Sequence, residues 1–285
     1  MLDYERLKQW RFPEIEVAYG PTDVMLYALG LNLGSDPLDE GQLRFAAAPD
    51  PSVLPTMAAI MGRLGPWMRA PETGIDYSRI VVGEVALTLH RALPSQGRLT
   101  AKHRIVGIHD KGEGRGALVV VARDLIDDDG VIATFEQATF CRADGGFSAE
   151  SGQDDPPASA DIPPRPERSP DKVAIHPTLP QQALLYRLTG DLNPLHSDPE
   201  TARKAGFEKP ILHGLATFGI AGWAVIDEFC DAETERLGAI SCRMSAPVYP
   251  GSVLETRMWR EKDRVWFETI SDARPVLTRG FAILK

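Results

Sequence analysis

One stretch of this chain can join neither kind of regular element. From Glu150 to Asp171 the sequence runs ESGQDDPPASADIPPRPERSPD, with six prolines and almost no large apolar side chain. Each proline removes a backbone donor and fixes φ, so the stretch neither pairs in a central strand nor continues a helix. It reads as a semi-extended, solvated, largely polyproline-like linker. Structureless loops of this length are uncommon inside a compact domain. With 285 residues the chain is long enough for two domains. The expected division is a first unit over 1–149, a linker over 150–171 and a second unit over 172–285.

The two flanks carry the same order of elements. Before the linker, helical stretches around Thr22–Leu31 and Leu54–Leu64 precede strand-like runs at Val82–Leu93, Arg98–Ile108, Ala117–Leu125 and Val131–Cys141. Pro94, Asp110–Gly116 and Asp127–Gly130 separate these runs with ordinary turn signals. After the linker, helical text from Leu179 to Phe229 precedes strands near Ala239–Ala246, Val253–Arg260, Val265–Ser271 and Val276–Leu284. Helices first and an antiparallel meander after them is an α+β signature, not the alternating βαβ of a nucleotide-binding sheet. The repetition suggests duplication, and Leu26-Tyr27-Ala28-Leu29-Gly30 loosely echoes Leu185-Tyr186-Arg187-Leu188-Thr189-Gly190. The copies differ in chemistry. Five and ten residues beyond Tyr186 stand Asp191 and His196, whereas the same offsets from Tyr27 reach Asn32 and Pro37.

Composition removes several function classes. A formal net charge of −9 argues against general nucleic-acid binding, which needs a basic face. No apolar run approaches the ~18–20 residues of a membrane span, and the charged start MLDYERLKQWRF lacks a secretory signal's apolar stretch. Cys141, Cys230 and Cys242 are odd in number and far apart, which fits a reducing compartment and disfavours a cysteine metal site. The expected setting is cytoplasmic.

The segment YRLTGDLNPLHSDPETARKAGFEKPILHG, Tyr186–Gly214, carries the chemistry. Gly190 is placed to end a helix in the left-handed conformation. Pro194 biases Asn193 away from helix, so Asp191–His196 should be a tight loop. Asp198 then caps a short helix with Pro199 in its first position and Gly206 at its end. From Gly214 to Phe229 a helix apolar on nearly every side belongs in a core. Taken singly, Asp191 and His196 are what ordinary turns contain. Together, a carboxylate and an imidazole in one rigid loop beside a buried helix can hold and polarise a single water, which is general acid–base work. His196, Asp198 and His213 lack the spacing of a helical two-histidine metal site. No metal is expected, and His213 should be held by a hydrogen bond. Arg203, Lys204 and Lys209 are a small basic run, either a solvated face or a contact for phosphates.

Tyr186–His196 followed by FEKPILHGLATFG, Phe207–Gly219, resembles the hydratase 2 motif of (R)-specific enoyl-CoA hydratases, within the MaoC-like dehydratases. LPTMAAIMG at Leu54–Gly62 and HRALPSQGRL at His90–Leu99 resemble the first half of the two-hotdog members, so the likeness covers nearly the whole chain. The resemblance implies a double hotdog, two antiparallel sheets each wrapped around a helix. It implies Asp191 and His196 as the catalytic pair holding the water, Asn193 as their support and the Gly214 N–H as the donor to the thioester carbonyl. The first half, lacking the motif, would make room for the acyl tail around Met57 and Ala59; on the phosphate reading of the basic run, some of its members would meet coenzyme A. The implied reaction is reversible hydration of trans-2-enoyl-CoA to (3R)-3-hydroxyacyl-CoA. No cofactor is implied beyond the coenzyme A of the substrate, and two such chains could pair as a homodimer. Competing readings are dehydration of a bulky steroid- or polyketide-type thioester on coenzyme A or acyl carrier protein, a thioesterase, and a non-catalytic acyl-CoA binding module.

Overall fold

A computed structural model of the chain describes residues 2–156 and 162–285. The first half contributes β1 (Ile15–Tyr19), β2 (Ile80–Leu89), β3 (Gly97–Asp110), β4 (Ala117–Asp127) and β5 (Gly130–Cys141). The second contributes β6 (Lys172–Pro177), β7 (Leu237–Met244), β8 (Val253–Glu261), β9 (Arg264–Ser271) and β10 (Arg274–Leu284). They form one continuous sheet in the order β1-β3-β4-β5-β2-β7-β10-β9-β8-β6, antiparallel throughout. Read outward from the β2–β7 seam, the halves give the same succession strand for strand: β2-β5-β4-β3-β1 and β7-β10-β9-β8-β6. That repeat is the topological trace of duplication. At the seam Val85 pairs with Cys242 and Leu87 with Ile240, all buried, while Glu84 meets Arg243 at 2.6 Å on the exposed side.

The eight expected strands are present. The two outer edges, β1 and β6, were not expected, because each is short and half-solvated. In β6, Val173 is 46% and Ile175 60% exposed, so no buried alternation marks it.

Inside the second half lies the central helix, Gly214–Cys230, with 13 of its 17 residues buried. Its counterpart in the first half is not the expected Leu54–Leu64 helix but a five-residue 3-10 turn, Pro55–Ala59. The stub packs against β2, β5 and the central helix, so the two halves share one core. Two local causes stop it. Gly62 sits at φ 62° with the position of a missing Cβ filled by the Ala101 methyl. Arg123 of β4 donates from Nη2 to the carbonyls of Ala58 (3.0 Å) and Ala59 (2.7 Å). A longer helix would pair those carbonyls itself; here a sheet arginine does so. Arg123 is buried over the Phe135 ring at 5.0 Å, and burial with the nearby Arg63 charge draws its pKa down to about 9.

The halves approach closely because the central helix has glycine where they touch. A Cβ on Gly222 would lie 2.7 Å from Thr56 Cγ2, and one on Gly219 2.8 Å from Tyr27 Oη. Across the same contact, Asn32 donates from Nδ2 to the Pro177 carbonyl at 2.9 Å, and Gln182 caps the Gly30 carbonyl. Asn32, the first-half counterpart of Asp191, therefore has a structural task.

The proline-rich segment is less free than a solvated linker. Asp155 accepts from Tyr4 Oη (2.7 Å), Lys8 Nζ (3.0 Å) and the Ile108 N–H (2.9 Å). At the far end, Trp266 Nε1 donates to the Pro163 carbonyl at 2.8 Å, and Trp259 Nε1 to that of Arg168 at 2.7 Å. The Arg165 guanidinium lies 4.1 Å from the Trp259 ring. Residues 157–161 of the expected linker lie outside the described residues.

Candidate active site

The local signals fold as their residue types dictate. Gln182–Tyr186 is helical and continues as a 3-10 turn to Thr189, and Gly190 ends it at φ 111°. Asn193 caps a further 3-10 turn, Pro194–His196, with its side-chain oxygen accepting from the Leu195 N–H at 3.1 Å. Asp198 caps the helix Pro199–Lys204 through the Glu200 N–H at 2.9 Å. The chain then returns so that His213 stands immediately before the central helix.

This path brings Asp191, His196 and His213 together, with one donor or acceptor atom of each within 4.8 Å of the others. His196 Nδ1 lies 2.8 Å from the Ile211 carbonyl. A carbonyl only accepts, so Nδ1 carries the proton and Nε2 presents a lone pair. His213 Nε2 lies 3.1 Å from the Asp191 backbone carbonyl, which fixes the opposite tautomer, with Nδ1 buried and unpartnered among the described residues. The hydrogen bond expected of His213 is thus present. The two imidazoles stack at 3.7 Å between centroids and 27° between planes. Asp198, the other acid of the sequence-level trio, is occupied in its cap.

Electrostatics hold these groups as acceptors. Burial drives His213 down to about 3, helped by the adjacent His196, and burial also lowers His196. Burial alone would raise Asp191, but the Arg63 guanidinium, His213 and His196 outweigh it and hold the carboxyl below its ordinary value. Asp191 Oδ2 meets Arg63 Nη1 at 2.7 Å, while Oδ1 accepts from the Asn193 N–H at 3.3 Å. At neutral pH the cluster is one carboxylate and two neutral imidazoles.

Gly214 opens the central helix, whose first N–H groups have no intrahelical acceptor. Gly214 is exposed, and a Cβ there would meet Met244 Sδ at 3.4 Å, an ordinary contact. The other expected residues fall elsewhere. Met57 and Ala59 are buried in the shared core on the 3-10 stub. Arg203 and Lys204 are exposed on the short helix, with Lys204 paired to Glu200 at 2.7 Å, and exposed Lys209 lies 5.3 Å from the Tyr249 ring. Arg63 was not singled out from sequence. A lone arginine between Gly62 and Leu64 carries no motif, and only the fold brings it to Asp191.

Comparison with known proteins fixes the relationship. A MaoC like domain matches residues 161–279, and an MFE-2 hydratase 2 N-terminal domain matches residues 17–143. Enoyl-CoA hydratase ChsH3 of Mycobacterium tuberculosis is 35% identical over 93% of this chain and 91% of its own length. The chain belongs to the MaoC-like hydratase 2 family. Peroxisomal enoyl-CoA hydratase 2 of Arabidopsis thaliana, another relative, is 37% identical over 96% of this chain and 93% of its own. Among solved structures, a MaoC-like dehydratase from Phytophthora capsici superposes with a TM-score of 0.86 at 28% identity, covering 100% of this chain and 98% of that one. The fold is the double hotdog of this family, here with its two sheets joined edge to edge. No helix among the described residues is long and apolar enough to cross a membrane.

Proposed function

We propose that this family member is a hydro-lyase that reversibly adds water to trans-2-enoyl-CoA, giving the (3R)-3-hydroxyacyl-CoA. The observation that carries this reading is the convergence of the Asp191 carboxylate and His196, both acceptors, next to the open N-terminus of the central helix. A water held by two acceptors donates a hydrogen bond to each, passes one proton to one of them, keeps the other, and turns an oxygen lone pair toward C3 of the substrate. As the C3–O bond forms, the π pair moves to C2 and onto the thioester oxygen. The Gly214 N–H and the helix dipole meet that developing negative charge. The proton taken from water is then delivered to C2 by the acid form of the same pair. Asn193 serves this unit by capping the turn that presents His196.

The reaction is redox-neutral and takes no cofactor beyond the substrate's own coenzyme A. Exposed Arg203, Lys204 and Lys209, on the surface following His196 in an otherwise acidic chain, are the contacts proposed for its phosphates. Met57 and Ala59 are proposed to border the acyl tail. A cytoplasmic setting and a homodimer of such chains complete the reading. The test is the enoyl thioester absorbance on addition of protein, with free thiol and product chirality measured together. Loss of absorbance without thiol release, giving the 3R alcohol, is expected. Thiol release would instead mean a thioesterase, and unchanged absorbance a binding module.

A further inference from the structure

We propose that Arg63, supplied by the first half, is the positioning residue for the acid–base unit of the second, so that one working site is assembled from both halves. This rests on the hydratase reading above. Among the described residues the Asp191 carboxylate has two polar contacts: Oδ1 accepts from the Asn193 N–H at 3.3 Å, and Oδ2 forms an ion pair with Arg63 Nη1 at 2.7 Å. The Asn193 contact is long, so Arg63 is the stronger of the two fixings. Among the described residues it is also the one cation paired with this carboxylate.

Arg63 is itself exposed, whereas the Asp191 carboxylate it meets is mostly covered, and the direction of Arg63 is set by the backbone before it. It follows Gly62, whose positive φ and contact with Ala101 set the direction of the chain as it leaves the 3-10 stub. The exit from the 3-10 stub, which stands where the second half has its central helix, aims this arginine at the other half's loop. Asp191 is faced by Arg63 from that stub's exit, by His196 from its own loop, by His213 before the central helix, and by Tyr186 from the preceding helix. Arg63 has Arg123 behind it. The cation keeps the carboxylate ionised in spite of burial and discourages protonation of both imidazoles. All three groups are thereby left as acceptors, the state in which they can orient a water.

The experiment compares Arg63→Gln and Arg63→Lys with the wild-type full chain. With folding verified by circular dichroism, Arg63→Gln should lower kcat by about 10–10²-fold, the cost of a misplaced reacting group, with little change in KM. The acid limb of its pH–rate profile should move to higher pH. Arg63→Lys should return the limb toward wild type but recover only part of kcat, because an ammonium lacks the guanidinium's planar fork. An unmoved limb with full kcat would overturn the proposal. So would a change confined to KM, which would make Arg63 a substrate contact instead. A readout that needs no substrate separates this inference from the reaction it rests on. The ¹³C carboxylate resonance of Asp191, assigned by its loss in Asp191→Asn, should titrate at higher pH in Arg63→Gln. If the wild type hydrates no enoyl-CoA, the hydratase reading fails and this titration still decides the role of Arg63. An unshifted midpoint defeats the proposal whatever the activity.

Discussion

A buried imidazole that resists protonation is a poor acid in the free protein but a good acceptor, and this chain keeps several. His213, pushed to about 3, and His103, pushed to about 4 by burial and the Arg123 charge, fold neutral, as do His196 and His176, both lowered mainly by burial. In the unfolded chain each takes up a proton near pH 6.5. Below that value the unfolded state binds more protons, so this stability is fully present above about pH 6.5 and is lost as pH falls toward the folded values. The urea midpoint should therefore drop between pH 7.5 and 5, and His103→Leu should flatten that drop by one proton's worth of slope. For the reaction, Asp191→Asn and His196→Gln should each cut turnover by about 10²–10⁴ while leaving the fold nearly intact; wild-type turnover in either would remove its assigned role. Asp191 and His196 were legible in the sequence because Gly190, Pro194 and Asp198 each act on the chain within a few residues. Arg63 was not, since its meaning comes from a partner in the other half, and local patterning carries no trace of that.

At the scale of elements, periodicity located what is buried on one side and missed what is half wet. The eight inner strands and the central helix stand close to where alternation and all-round apolarity put them. Edge strand β6, with one partner and exposed Val173 and Ile175, gives no such pattern, and β1 alternates over only five residues. Leu54–Leu64 reads in the sequence as a short helical stretch interrupted by Gly62. Its buried Pro55–Ala59 stub instead ends where Gly62 turns and Arg123 closes the carbonyls, a sheet-to-stub bond that no local rule anticipates. The proline-rich segment has almost no large apolar side chain but offers carbonyls, and the indoles of Trp259 and Trp266 take them. The glycines of the central helix yield a sharp test. Gly222→Ala places a methyl against Thr56 Cγ2, and the overpacking should cost about 1–3 kcal/mol in urea unfolding. The same substitution in Thr56→Ser, which lacks that methyl, should cost less.

For the whole molecule, the strand order repeats about the β2–β7 seam while the chemistry does not. Duplication was visible in the sequence as an order of elements; the seam itself, a pairing across the two copies, was not. If the degenerate half gives room to the acyl tail, Met57→Trp or Ala59→Phe should slow long-chain enoyl-CoA turnover much more than crotonyl-CoA turnover. Equal slowing would leave the first half as a structural partner alone. The shortened stub also bears on descent. Restoring a second site by placing Asp and His at Asn32 and Pro37 would still leave no long helix to end behind an oxyanion. It would also strip Asn32 from Pro177, and Arg123 would remain bonded where the missing turns would have to grow. Each accommodation makes the next step back less accessible, so the loss of symmetry in this chain works as a ratchet: once one copy gave up its helix, the pair could specialise further but could not readily become twins again.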